Sequence, residues 1–464
     1  MLTVCEKLLG RRWPPQSPSE LDPSTLAVLS ARLLLDLSPA TVNARQYEEE
    51  LVRSHMRMLY SVHDNLEIMV TGSSPEPLVA EAAAQIMHYC IDKGGEEVPF
   101  MDVWWLLQQF VEQGFALPGT IGQLIGRVLS ILAMDRAIDA ASNRCELKYQ
   151  TPVPVVAYYK ALLTDEAWET LRSSVPANRA NLTEDSAKAT FEEAFANAYF
   201  HFSHYAKAND ATPMCDKYAW ANWLRGTAVL CQLNQELPDR VHFIYFSDRG
   251  GVGPQSMSVD LNQDKIGQSA DPQAVGIQRA ETLGIFSSGN KRPYIAAVHC
   301  YALTANEGTT VGFVKPELRQ QNNDQESPRY QIDIRGLTSY RSLTESTRSA
   351  IRTMIDGTKN YIFKKHTRQY GLGLLHQMLP VLTDHQDSTA WLGGVENVDK
   401  LGERLTGMSV EGGGSVVKTP DTSAAQLSQP GSSKGGGGGN AGGTGNGKGK
   451  GKGKGKGKGK GRAK

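Results

Sequence analysis

The stretch that decides the fold reads AVLCQLNQELPDRVHFIYF at residues 228–246 and MSVDLNQDK at residues 257–265. Both segments are short, rich in β-branched and aromatic residues, and bounded by Gly, Pro, Asn or Asp, which is typical of strands. We predict strands at 227–233, 241–247 and 256–261, with the last continuing toward Gln263-Asp264-Lys265. Consecutive strands with short connections are expected to lie beside one another in one sheet.

Outside this stretch the period of the apolar residues changes. A repeat of three to four residues predicts helices rather than strands, and we expect them at 24–60, 78–89, 100–115, 120–141, 154–172, 187–207, 214–226, 344–365 and 371–383. Further strands are predicted at 293–303 and 330–334. The fold class is therefore mixed α/β, with an all-helical region at 1–148, an α/β core at 149–400 and a tail at 401–464.

The formal net charge of zero conceals an uneven distribution of charge. From Lys434 onward the chain holds nine Lys, one Arg and no acidic residue, which leaves 39 basic against 49 acidic residues elsewhere. We therefore expect an acidic folded body and a cationic tail that is too poor in apolar residues to order itself.

The six cysteines are scattered and form no Cys-x-x-Cys motif, so neither a zinc ribbon nor a disulfide framework is indicated. The first residues, MLTVCEKLLGRR, lack the basic start and apolar run of a signal peptide. No stretch reaches the ~20 apolar residues of a membrane span. These features predict an intracellular protein, nuclear or cytoplasmic, that does not bind membranes and is not secreted by a standard signal peptide.

The predicted strands carry a pattern suited to metal-dependent phosphodiester hydrolysis. Asp239 opens one strand, and the next ends in Gln263-x-Lys265. Side-chain oxygens of Asp239 and Gln263 on neighbouring strands are suitable ligands for Mg²⁺. Lys265 shares the face of Gln263, because strand side chains repeat with a period of two, and is placed to activate water. Glu193 or Glu192, on a preceding helix, would complete the metal site.

The chain resembles a largely uncharacterised group of large proteins from mushroom-forming fungi that carry a PD-(D/E)xK, restriction-endonuclease-like core. Some of these are related to Crinkler-type effectors, and many carry a P-loop NTPase upstream, whereas this chain contains no usable Walker A motif. The segments that carry the resemblance are 32–36 (RLLLD), 49–61 (EELVRSHMRMLYS), 72–83 (GSSPEPLVAEAA), 225–228 (RGTA), 256–258 (SMS), 283–286 (LGIF) and 292–295 (RPYI). The resemblance implies a restriction-endonuclease-like core in the α/β part and a Mg²⁺-dependent nuclease with Asp239, Gln263 and Lys265 as its site.

The same strand departs from that pattern. A central strand buried on both faces is expected to be apolar, yet this one contains Asp260, Asn262 and Asp264, and His242 lies on its neighbour. Gln263 offers an oxygen to a metal but no charge. We therefore predict a site that is attenuated or inactive, in a strand that no longer packs as a core strand. A slip by one residue would instead let Asp264 supply a carboxylate.

The tail predicts a second mode of action. Its alternating cations attract phosphates through counterion release without reading sequence; they are Lys448, Lys450, Lys452, Lys454, Lys456, Lys458, Lys460, Arg462 and Lys464. The alternative function is therefore a non-catalytic nucleic-acid-binding or effector-like protein that uses this tail. A structural packaging protein with a basic arm, or a tail that only solubilises the chain, are the other interpretations of the same pattern.

Overall fold

The computed structural model describes residues 1–14, 21–37, 42–62, 69–93, 96–99, 101–116, 118–141, 146–208, 215–231, 238–247, 252–266, 286, 291–302, 308–311 and 326–359. All of them belong to one compact unit, Met1–Ala390. The predicted helix at 371–383 and the tail at 401–464 lie outside the described residues.

Helices dominate the chain up to residue 194 and recur after it. Their bounds are α1 Leu2–Leu9, α2 Pro23–Leu33, α3 Val42–Ser54, α4 Pro77–Met87, α5 Val103–Glu112, α6 Ile121–Ala140, α7 Val155–Leu162, α8 Asp165–Arg172, α9 Glu184–Lys188, α10 Phe191–Ala194, α11 Asp216–Leu224 and α12 Glu345–Lys359. Local chemistry sets several starts: the Asp22 side chain caps α2 with Pro23 in its first turn, and Asp102 accepts the backbone N–H groups of Trp104 and Trp105 at α5.

The strands form one large mixed sheet and two small hairpins. Their bounds are β1 Met58–Val62, β2 Met69–Gly72, β3 Cys90–Lys93, β4 Glu96–Pro99, β5 Val153–Pro154, β6 Ala198–Phe200, β7 His204–Lys207, β8 Thr227–Leu230, β9 Arg240–Phe246, β10 Met257–Lys265, β11 Tyr294–Cys300, β12 Gly308–Val311 and β13 Arg329–Arg335. The hairpins pair β1 with β2 and β3 with β4.

The large sheet runs in the order β12-β13-β11-β10-β9-β6-β5, and β8 pairs with both β9 and β7. Strand β9 is antiparallel to both of its neighbours β8 and β10, whereas β10, β11 and β13 are parallel to one another. The sheet is therefore mixed, as predicted, and β10 is a central strand with partners on both edges.

Each face of the sheet packs against different helices. One face contributes Ile295, Ala297, Ile332 and Ile334 to a large apolar cluster that also contains residues of α2, α4, α5, α6 and α7. The opposite face contributes Val259, Leu261 and Val298 to a second cluster, against which Trp220 and Trp223 of α11 pack. We call these the α6 face and the α11 face.

The mixed α/β class is confirmed, but several predicted elements are wrong. The first 148 residues are not all helical, because β1 overlaps the end of the predicted helical segment 24–60, and 90–99 contains the β3–β4 hairpin. The helix predicted at 187–207 is instead α10 followed by β6 and β7, whose aromatic residues pair with β9 or pack in the core. The helix predicted at 154–172 is two helices, separated at Leu163. Among the described residues no helix is both long and apolar enough to cross a bilayer.

Candidate active site

Asp239 lies at the turn that leads into β9, and its carboxylate is held by three donors. Oδ1 accepts a hydrogen bond from Nε2 of Gln123 on α6, at 2.9 Å. Oδ2 accepts from the backbone N–H of Asp264, at 2.7 Å, and from Nε2 of Gln263. Burial and the nearby carboxylate of Asp264 both raise the pKa of Asp239.

The strand register brings Gln263 and Lys265 to the same face as Asp239. Asn262 pairs with Arg240 across β9 and β10, so the next position along β10 lies beside Asp239. Gln263 and Lys265 alternate with Asn262 and Asp264 and therefore point to the α11 face. The charge of Lys265 opposes the rise in the pKa of Asp239, but burial and Asp264 outweigh it. The side chains of Gln263 and Lys265 are both half-buried.

Glu193 lies elsewhere in the fold. It occupies the third position of α10, where its carboxylate accepts the backbone N–H and the hydroxyl of Thr190, both at 2.9 Å. This reciprocal arrangement is a capping box. Glu192 lies 3.8 Å from the guanidinium of Arg172. Among the described residues neither glutamate contacts Asp239 or Gln263, so both serve their own helix and its neighbour.

The described part of the chain contains no group of three or more His, Cys, Asp or Glu side chains able to hold a metal ion. Asp239 and Gln263 nevertheless meet the smallest requirement for Mg²⁺, which proteins often bind through one or two carboxylates together with water and substrate phosphate. Three donors already occupy the carboxylate of Asp239, and Gln263 directs its amide nitrogen toward it. The pair therefore fits Mg²⁺ only weakly, and Gln263 must turn its amide to offer oxygen.

On the α6 face, directly behind this site, lies a buried ion pair. Arg240 donates to Asp264 through Nε, at 2.6 Å, and through Nη2, at 2.9 Å, with both side chains no more than 1 % exposed. The Tyr301 hydroxyl donates to Asp264 at 2.7 Å, and Arg240 also donates to the Ser130 hydroxyl on α6, at 2.7 Å. Arg240 lowers the pKa of Asp264 against the effect of burial. Gly126 of α6 leaves the space that this pair fills.

The other polar residues of β10 are paired as well. Nδ1 of His242 lies 3.0 Å from Oδ2 of Asp260, and the Tyr205 hydroxyl lies 3.1 Å from Nε2 of the same ring. Asn262 Oδ1 accepts from Nε2 of His299 at 2.9 Å. The expectation that β10 no longer packs as a core strand is therefore wrong. The strand pairs along its length, shows no slip in register, and keeps Asp264 on the face opposite to Gln263.

The buried histidines predict acid sensitivity. His299 uses both ring nitrogens, with Nε2 bonded to Asn262 and Nδ1 2.8 Å from the Tyr340 hydroxyl. Burial lowers the pKa of His299 to about 4, and the same cause lowers the pKa of His204 to about 4. The unfolded chain has a histidine pKa of about 6.5. Between these values the unfolded state binds more protons, so folding stability should fall as pH falls from about 6.5 to 4.

We predict that His299→Gln makes the free energy of unfolding less dependent on pH in this window. The substitution removes one group that binds a proton more readily in the unfolded state. The free energy of unfolding should therefore change less with pH, by up to about 1.4 kcal/mol per pH unit. Urea unfolding of both proteins at four pH values between 4.5 and 7.5 measures the slopes. Equal slopes in the two proteins would show that His299 protonates as easily in the folded chain as in the unfolded one.

Three residues of this region have no counterpart in the sequence predictions. Gln123 reaches Asp239 from α6, and a partner more than a hundred residues away leaves no local signal. Asp333 and Arg335 of β13 lie on the α11 face, because Val298 pairs with Asp333 and Cys300 with Arg335. Here a signal existed: Tyr330, Ile332 and Ile334 alternate with polar residues, which predicts one apolar and one polar face.

The comparisons with known proteins concern the helical region. A family model described as a domain of unknown function (DUF8736) matches residues 16–151. No curated protein and no solved structure matches the chain. The matched segment includes α6, and so contains Gln123 and Ser130, which bind Asp239 and Arg240. It ends before β9 and β10, which carry Asp239, Gln263 and Lys265.

Proposed function

We propose that this chain is a nuclease-superfamily protein that acts on nucleic acid, with an attenuated Mg²⁺-dependent site for phosphodiester hydrolysis. The observation that supports the proposal is the contact between Asp239, at the start of β9, and Gln263, on β10, with Lys265 two residues further along the same face. In this proposal the protein acts inside the cell, in the nucleus or the cytoplasm. Its partner is nucleic acid, which the cationic tail also binds.

Each residue of the site has a defined role in this proposal. Asp239 and the amide oxygen of Gln263 would hold Mg²⁺, which when bound polarises the phosphoryl group and lowers the pKa of water. Lys265 orients the attacking water and offsets charge on the phosphate. Gln123 and the backbone N–H of Asp264 keep the Asp239 carboxylate in place through their hydrogen bonds.

The same contacts explain why the site is attenuated. Gln263 supplies no charge, so Asp239 is the single carboxylate of the proposed metal site. Donors from the protein compete with the metal for its oxygens, and Glu193 is held in its own capping box. Weak Mg²⁺ binding and slow hydrolysis follow from this arrangement.

We predict that Gln263→Glu strengthens Mg²⁺ binding and speeds cleavage of DNA or RNA. Without metal the new carboxylate lies against that of Asp239, so the two repel and the variant should unfold more easily at pH 8. With Mg²⁺ both carboxylates become ligands, and the affinity for Mg²⁺ should rise, because proteins bind this ion through one or two carboxylates. Thermal unfolding with and without Mg²⁺ gives a readout that does not depend on activity.

Gln113→Glu is the control, because it adds the same charge at an exposed position at the end of α5, away from Asp239. The gain in cleavage should disappear when Lys265→Ala is added to Gln263→Glu. If Mg²⁺ shifts the unfolding of Gln263→Glu no more than that of the control, the metal site is not at Asp239. The alternative is a non-catalytic protein that binds nucleic acid through its tail. Binding that depends on salt, but does not change with Mg²⁺ or with substitution of Asp239 or Lys265, would favour it.

A further inference from the structure

Two cations flank a small side chain on the α11 face. Lys265 pairs with Cys300 across β10 and β11, and Cys300 pairs with Arg335 across β11 and β13. Neighbouring strands lie ~4.8 Å apart, so the Cα atoms of Lys265 and Arg335 are separated by about 10 Å. Both side chains are longer than that of Cys300 between them and can converge above its thiol. Burial and the carboxylate of Asp333 raise the pKa of the Cys300 thiol to about 11, against smaller opposing effects of Arg335 and Lys265.

These two cations differ from two buried arginines, Arg240 on the α6 face of the sheet and Arg32 on α2. Arg240 and Arg32 each form a bidentate pair with an aspartate, Asp264 and Asp135 respectively. In contrast, neither Lys265 nor Arg335 forms a hydrogen bond or an ion pair with another described residue, and Nε of Arg335 is buried without a partner. In the part of the chain that the structure describes, these two half-buried cations thus have no direct ion pair, although Arg335 lowers the pKa of nearby Asp333 and Lys265 that of Asp239.

Asp333 gives a second, independent indication of a missing ligand. It lies one row from Arg335 on β13, opposite Val298, and is 2 % exposed. Its Oδ1 accepts from Gln331 at 3.0 Å, whereas Oδ2 is buried and has no partner in the described part of the chain. Buried polar atoms are nearly always paired, so orphan atoms on Asp333 and Arg335 mark a place where a ligand supplies the partners. Burial raises the pKa of Asp333 to about 6, so the carboxyl group can be protonated and donate to such a ligand only at about pH 6 or below.

We infer that Lys265 and Arg335 bind one phosphate group above Cys300, with the carboxyl of Asp333 as a third contact. Guanidinium and ammonium groups are the residues that proteins use for phosphate, the first through paired N–H donors and the second as a compact charge. The choice of ligand, a phosphodiester of a nucleic-acid strand, rests on the proposed function. The phosphate site itself does not.

The test is thermal unfolding of the full chain with inorganic phosphate, comparing Lys265→Gln, Arg335→Gln, Arg335→Lys and Asp333→Asn. A ligand of the folded body raises the unfolding midpoint, and raises it further the more tightly it binds, while the tail is the same in every variant. Each Gln variant should weaken phosphate binding about tenfold or more, while Arg335→Lys keeps part of it. Asp333→Asn, which removes a negative charge and supplies an N–H donor, should bind at least as tightly as the parent. Arg352→Gln is the control, because Arg352 of α12 is paired with Glu345, at 3.1 Å, and it should bind as the parent does.

Parent-like phosphate binding by Arg335→Gln would overturn the inference, and so would weaker binding by Asp333→Asn. The proposed function is read separately, from cleavage. If Arg335→Gln loses phosphate binding while no variant cleaves nucleic acid, the phosphate site stands and the nuclease proposal fails. The source of the phosphate is decided by comparing the binding of three ligands: a short oligonucleotide, the same sequence with uncharged methylphosphonate linkages, and a mononucleotide. A preference for the charged strand over a mononucleotide that Arg335→Gln loses identifies the phosphodiester, because the tail is unchanged in that variant. A preference for the mononucleotide, or one that Arg335→Gln keeps, overturns that assignment.

Discussion

Replacing Arg240 by Met is expected to lower the free energy of unfolding by about 3–5 kcal/mol, the usual loss when one partner of a buried ion pair is removed. The substitution leaves the carboxylate of Asp264 0 % exposed, with the Tyr301 hydroxyl as its remaining side-chain donor. It also removes the hydrogen bond that Arg240 donates to the Ser130 hydroxyl. Urea unfolding at pH 7 measures the change.

Two controls separate buried charge from lost packing. Lys188→Met removes an exposed partner of Glu184 and should change stability by less than about 1 kcal/mol. The double variant Arg240→Met with Asp264→Leu replaces both charges by apolar groups and should recover most of the loss. If the double variant is as unstable as Arg240→Met alone, the loss comes from packing or from the polar neighbours rather than from an uncompensated charge.

Gly126→Ala is expected to destabilise the chain by about 1–3 kcal/mol, as overpacking of a filled core does. A Cβ at this position would lie 2.5 Å from Oδ1 of Asp264 and 2.6 Å from Nη2 of Arg240. Neither group can move without breaking the ion pair. The loss should appear although Ala favours a helix over Gly by about 1 kcal/mol.

Gly122→Ala is the matched control, since it lies one turn earlier on α6. Its Cβ would meet the Ile266 side chain at 3.2 Å and Asp264 at no less than 3.7 Å. Stability should therefore change by no more than about 1 kcal/mol in either direction, because the gain in helix propensity opposes the mild crowding. Equal effects of the two substitutions, measured by urea unfolding, would show that α6 can move away from the ion pair.

These two predictions rest on contacts that the sequence does not reveal. The strands β9, β10, β11 and β13 were predictable because their apolar residues alternate or run together. The partners of Asp260 and Asp264 were not, because a single strand does not indicate what packs on either face. Ser130 lies 110 residues from Arg240, and its hydroxyl gives no pattern of its own.

The wrong assignment of Glu193 to the metal site has a different cause. Thr190-Phe-Glu-Glu193 matches the Thr-x-x-Glu signature of a capping box, so a local role for Glu193 was visible in the sequence. The aromatic residues between 199 and 205 favoured a helix because they are dense, and their pairing in β6 and β7 depends on tertiary contacts. That Asp239 lies beside Gln263 was predictable, because the two strands that carry them follow one another in the chain and pair side by side.

The hydrogen bond between Ser130 and Arg240 also has a consequence for how the chain is made. Ribosomes add about 5–20 residues per second, so α6 is complete some 5–20 seconds before its partner on β9 exists. The apolar residues of α2, α4 and α6 likewise share their cluster with Ile295 and Ile332, which are synthesised later still. The part of the protein that is translated first therefore completes its core only with strands that are translated last.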